Sequence, residues 1–167
     1  MPHIRDSRIL IVATEKSGRW EVSVSREELR RTGARVDVAT LDGRGIEDGP
    51  DPARRERIGA DLKLADARPD DYEALVLSGF HLSPEVASPR WPGRGLVLRF
   101  LETGRPVGAM CHGPWLPLTA EIFLKGGPGP AETAMGEIMT SRAPADVDDF
   151  IARIVEEVEL RDRHHRR

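Results

Sequence analysis

An α/β sandwich, a doubly wound and mostly parallel sheet flanked by helices, is what this sequence predicts, and three observations predict it. Apolar runs of strand length alternate with amphipathic helical stripes. The first run, Arg8-Ile-Leu-Ile-Val-Ala-Thr14, is continuous rather than alternating, as a strand buried on both faces requires. No internal repeat or linker interrupts the 167 residues, a length that supports one substantial core but not two ordinary domains.

The elements follow in order. After the first strand, residues 20–32 read as a helix, with Gly33 placed as its C-terminal stop. Val36-Asp-Val-Ala39 is a second short strand. Residues 41–57, rich in Gly, Pro, Asp and Arg, read as a long surface loop with one helical turn. The third strand lies within 70–79 and ends at Ser78-Gly79. Leu96, Val97, Phe100 and Leu101 form a helical stripe, and Val107 to Met110 is a short buried strand. Gly113-Pro114 opens a further helix, because proline is favoured at the first helical position. Lys125-Gly-Gly-Pro-Gly-Pro130 must be a loop, and 137–140 a short strand. Val147, Phe150, Ile151, Ile154, Val155 and Val158 repeat at i, i+3, i+4, i+7, i+8 and i+11, one apolar helical face. The domain is expected to span 1–160, with 161–167 a basic tail that frays.

Composition narrows the function. Charged residues make up 32% and hydrophobic ones 39%, which predicts a globular protein. A formal net charge of −3 argues against general nucleic-acid or membrane-surface binding. One cysteine cannot form an internal disulfide, and the opening residues carry no apolar signal core, so a cytoplasmic location is expected. Neither a Walker loop, a serine elbow, a CxxC pair nor an HExxH helix occurs. No metal or organic cofactor is implied; His164-His165 lacks the further ligands that a metal needs.

The chemistry gathers at the single cysteine, Cys111. It stands between an apolar strand and a helix opened by Gly113-Pro114, with His112 beside it. A thiol at such a corner faces the positive end of a helix dipole, which favours thiolate. The adjacent imidazole is a candidate proton shuttle or ion-pair partner. Glu21, in the first turn of a helix, suits the dipole whether or not it has a task there.

The string Ala109-Met-Cys-His-Gly-Pro-Trp115 resembles the ThiJ/PfpI superfamily, and more closely its PfpI-type, intracellular peptidase-like branch. Arg30-Arg-Thr-Gly33 before Val36-Asp-Val, the approach to the third strand at 65–72, and Thr140-Ser-Arg-Ala-Pro144 extend the likeness over most of the chain. The resemblance implies a flavodoxin-like sandwich in which Cys111 is the nucleophile and His112 its neighbouring histidine. Glu21, twelve positions before Gly33, stands where the family carries a buried glutamate that hydrogen-bonds the sulfur. That role requires a protonated carboxyl, which burial favours. Glu85 resembles the acid contributed across a subunit interface to the histidine, which implies a homodimer or higher homo-oligomer. Gly79 resembles the loop glycine whose backbone joins the N–H of His112 in an oxyanion site.

Three departures from the family pattern stand out. Phe80 replaces the second glycine of the usual Gly-Gly pair, so the substrate-binding loop is expected to be reshaped. The segment between Thr14 and Glu21 is longer than in the shortest members, so the Glu21 match depends on register. After the elbow helix the chain runs through a Gly/Pro segment to Gly136 and is expected to be truncated there. The implied activity is a cysteine-nucleophile reaction on the electrophilic carbonyl of a small molecule, of glyoxalase or deglycase type. A PfpI-like peptidase or amidohydrolase is the alternative, disfavoured because peptide hydrolysis needs an extended cleft that a shortened chain is less able to build. A non-catalytic redox sensor or chaperone-like protein using the same thiol is the competing class. Glutamine amidotransferases are excluded, since no histidine lies between His112 and the tail to supply their His-x-Glu.

Overall fold

The computed structural model describes residues 4–14, 19–48, 56–78, 90–110, 138–141 and 147–165. After a single 3-10 turn at Ile4–Asp6, the chain enters strand β1 (Arg8–Ala13), followed by helix α1 (Arg19–Arg31) and strand β2 (Arg35–Thr40). The helix stops where the sequence predicts. Gly33 has φ 97°, and a Cβ there would lie 2.5 Å from Cγ of Arg5, so both backbone and space require glycine.

The stretch expected to be loop is built differently. Strands β3 (Ile46–Asp48) and β4 (Glu56–Ile58) form a small antiparallel ladder, with Ile46 opposite Ile58. Both isoleucines are buried against the main core, which explains why so polar a segment is pinned. A second element that composition does not reveal is β5 (Leu62–Lys63), a two-residue strand pairing with the end of β2. The chain continues through β6 (Ala74–Ser78), α2 (Arg94–Glu102), β7 (Val107–Met110), β8 (Ile138–Ser141) and α3 (Val147–His165). Helix α3 thus extends through most of the segment expected to fray. Arg161 holds it down by donating to the carbonyl of Thr103 at 2.5 Å.

Among the described residues, six strands form one parallel sheet in the order β5-β2-β1-β6-β7-β8. Successive side chains alternate between its faces. Ile9, Ile11, Val36, Val38, Ala74, Val76 and Met110 meet Val22 and Leu29 of α1 and Phe150, Ile151 and Ile154 of α3. Leu10, Val12, Leu75, Leu77, Val107 and Ala109 meet Leu96, Val97, Phe100 and Leu101 of α2. The predicted stripes on α2 and α3 are therefore the buried faces, with Val155 at the edge of its stripe. Trp91 packs onto the α2 side, over Gly93, and so belongs to the core wall. Gly108 does the equivalent work on the other face. A Cβ there would come within 2.6 Å of Phe150 Cζ, so the glycine is what lets α3 press against β7.

Candidate active site

Strand order reverses between β1 and β6: β2 and β5 extend one way, β7 and β8 the other. In open parallel sheets ligands bind beyond the carboxyl ends of the strands, at this switch point. Register aligns those ends closely. Ala13 pairs with Ser78, Ser78 with Met110, and Met110 with Ser141, so the last residues of four strands form one level row. Cys111 is the residue that follows Met110 in the chain, and Gly79 the one that follows Ser78.

Glu21 is the predicted site residue that the structure describes, and it is brought to this row. It lies in the first turn of α1 and is only 5% exposed. The helix carries it there because Val22 and Leu29 anchor α1 on the sheet, while Ser25, one turn on, faces the same way. Ser78, fully buried at the end of β6, donates its hydroxyl to Glu21 Oε2 at 3.4 Å. The fully buried Ser25 donates to the carbonyl oxygen of Glu21 at 2.6 Å, and its oxygen also lies 2.7 Å from the sulfur of Met110. One hydroxyl has one proton; the carbonyl is the stronger acceptor, so the thioether packs against the same oxygen as a weak second partner. Together these contacts tie α1, β6 and β7 at one level, at the residue that precedes Cys111 in the sequence.

Cys111, His112, Gly79, Phe80 and Glu85 lie outside the described residues, as do the elbow helix and the Gly/Pro segment expected to be truncated. Among the described residues, no group of three or more His, Cys, Asp or Glu side chains is placed to hold a metal ion. Nor is any described helix long and apolar enough to cross a membrane.

Sequence reasoning missed both serines at the site. A small polar residue closing an apolar strand, as Ser78 does, carries no distinctive pattern. A second polar cluster, also missed, lies towards the opposite end of the sheet. Tyr72 donates to Asp37 Oδ2 at 2.9 Å, Arg8 donates to the same oxygen at 2.8 Å, and the Arg8 guanidinium lies 4.9 Å from the Tyr72 ring centre. Here a signal did exist: a charged residue inside Val36-Asp-Val38 is rarely buried unless paired. Burial, and then the hydrogen bond to Asp37, raise the Tyr72 phenol above its ordinary range, against the smaller opposing pull of Arg8.

Comparison with known proteins places this architecture. The DJ-1/PfpI family model matches residues 7–127. An uncharacterised protein of Archaeoglobus fulgidus is 27% identical over 168 residues, covering 89% of this chain and 96% of its own length. A protein of Thermococcus kodakarensis named as a deglycase is 28% identical over 122 residues, 73% of this chain and 70% of that one. Among solved structures, a ThiJ/PfpI domain protein from Brachyspira murdochii superposes with a TM-score of 0.70 at 17% identity, covering 92% of this chain and 96% of that one. That last likeness speaks for the fold alone.

Proposed function

The chain belongs to the DJ-1/PfpI family, and from that membership we propose that it is a cysteine-nucleophile enzyme acting on the electrophilic carbonyl of a small molecule. The observation that carries the reading is the buried Glu21 at the switch point, level with the residue before Cys111. A glutamate kept only for helix-dipole stability has no need of burial; one that serves a neighbouring sulfur does. The deglycase names of relatives from Thermococcus kodakarensis and Pyrococcus abyssi favour an aldehyde-type substrate over a peptide.

In this reading the Cys111 thiolate adds to an aldehyde carbon. The new C–S bond forms as the C=O π pair moves onto oxygen, and the backbone N–H groups of Gly79 and His112 stabilise that oxyanion. Burial disfavours a carboxylate relative to the neutral acid. Glu21 therefore holds its proton and donates it as a hydrogen bond to sulfur, favouring S⁻ over SH. In a 2-oxoaldehyde, His112 takes the C–H proton from the former aldehyde carbon of the adduct and returns it to the neighbouring ketone carbon, while the hydroxyl proton passes to the ketone oxygen, so the adduct becomes a thioester. Water then adds to the thioester carbonyl and the C–S bond breaks, which releases a 2-hydroxy acid and returns the Cys111 thiolate. Glu85 of a neighbouring subunit orients His112, so the working unit is a homodimer or larger.

Methylglyoxal consumption by wild type, Cys111→Ser and Glu85→Gln, with mass read by light scattering, tests this. Turnover that Cys111→Ser abolishes, in a dimer that Glu85→Gln slows, is the expected result. Equal rates for wild type and Cys111→Ser would reject the enzyme. Rapid alkylation and reversible peroxide oxidation without turnover would favour the sensor. A strictly monomeric yet active protein would remove Glu85 from the site.

A further inference from the structure

We propose that Ser78 is a positioning residue, which fixes the orientation of the Glu21 carboxyl and thereby the side on which its proton sits. The proposal rests on the reading of Cys111 as a thiolate and deepens it. Ser78 donates to Glu21 Oε2, and both groups are buried. The backbone of Ser78 is fixed, laddered between Ala13 and Met110 in the middle of the sheet.

A neutral carboxyl carries its proton on one oxygen and accepts on the other. With the Ser78 hydroxyl donating to Oε2, that oxygen is the acceptor and the proton is directed to Oε1. Without the hydroxyl the two arrangements become more nearly equal, and the hydrogen bond offered to sulfur is present for a smaller share of the time. Ser25 holds the Glu21 main chain in place, since it donates to its backbone carbonyl oxygen and touches Met110. At 3.4 Å the contact is at the long end for a hydroxyl donor, so the effect is modest. Removing the hydroxyl should raise the alkylation midpoint of Cys111 by about half a pH unit, roughly threefold less thiolate below the midpoint.

The test follows iodoacetamide alkylation of the full chain against pH in wild type, Ser78→Ala, Ser78→Thr, Glu21→Gln and the Ser78→Ala/Glu21→Gln double variant. Alongside it, infrared spectra follow the carbonyl stretch of protonated Glu21, assigned by its loss in Glu21→Gln. Ser78→Ala should raise the midpoint and move the stretch to higher frequency. Ser78→Thr should restore both, and the double variant should match Glu21→Gln alone. An equal shift from Ser78→Ala in the Glu21→Gln background shows that Ser78 does not act through Glu21 and overturns the proposal. So does a Glu21 stretch at the frequency of an unbonded carbonyl in the unmodified protein, a readout that needs no Ser78 variant. If Glu21→Gln raises the midpoint and Ser78→Ala does not, the proposal alone fails. An ordinary thiol midpoint in wild type removes the thiolate reading and the proposal with it.

Discussion

Tyr72 is the only tyrosine in the chain, so its ionisation can be read without interference. Burial and the bond to Asp37 hold its phenol above the ordinary value, near 10. Below pH ~10 folded and unfolded chains both keep this proton, and Tyr72 adds no pH dependence. Above it the unfolded chain ionises first and binds fewer protons than the native one, so stability falls as pH rises. Tyrosinate absorbance in the native protein should therefore be missing at the ordinary midpoint and emerge only with alkaline unfolding, and Tyr72→Phe should remove that alkaline slope. A native-state titration at the ordinary midpoint would show that the phenol is not enclosed. Legibility differed residue by residue. The burial of Glu21 was legible because its spacing to Gly33 matches a position that the resembled family buries. Ser25 and Ser78 were not, because single small polar residues in apolar elements form no pattern; Asp37 signalled that it needs a partner, but Tyr72, 35 residues away, could not be identified as that partner.

Elements were legible where burial imposes a period. Helix α3 shows its face at regular helical spacing, and β1 shows a run that only two covered faces explain. The ladder of β3 and β4 was hidden because one buried isoleucine per strand, Ile46 and Ile58, is too little for a repeat. The extension of α3 to His165 was hidden for a different reason: its last turns are tethered by Arg161 to a carbonyl of another element rather than by apolar packing. Glycine at position 108 supplies the prediction at this scale. Gly108→Val would drive a branched side chain into Phe150 and Ile154, which stand 2.6 and 3.0 Å from a Cβ at that point. Overpacking of this kind costs about 1–3 kcal/mol. Urea unfolding should show a lower midpoint with an unchanged slope, whereas an unchanged midpoint would mean that α3 can withdraw from β7 at no cost.

For the molecule as a whole, strand order and register converge on the carboxyl ends of the central strands. The strand order reverses between β1 and β6, Ser78 and Met110 end their strands in one level row beside that point, and α1 brings the buried Glu21 to the same row. Alternating strands and helices made the parallel sandwich legible, because each βα unit is built locally. The direction in which the sheet grows from β1 is a matter of long-range pairing, and the composition of no single segment records it. Whether Cys111 is held as a thiolate is read most directly from the pH dependence of its alkylation in the unmodified protein, where a single cysteine makes the stoichiometry unambiguous. A midpoint well below the ordinary thiol value of about 8.5 is expected, with full labelling of the folded protein. A midpoint at or above that value, or a thiol that reacts only after unfolding, would contradict it.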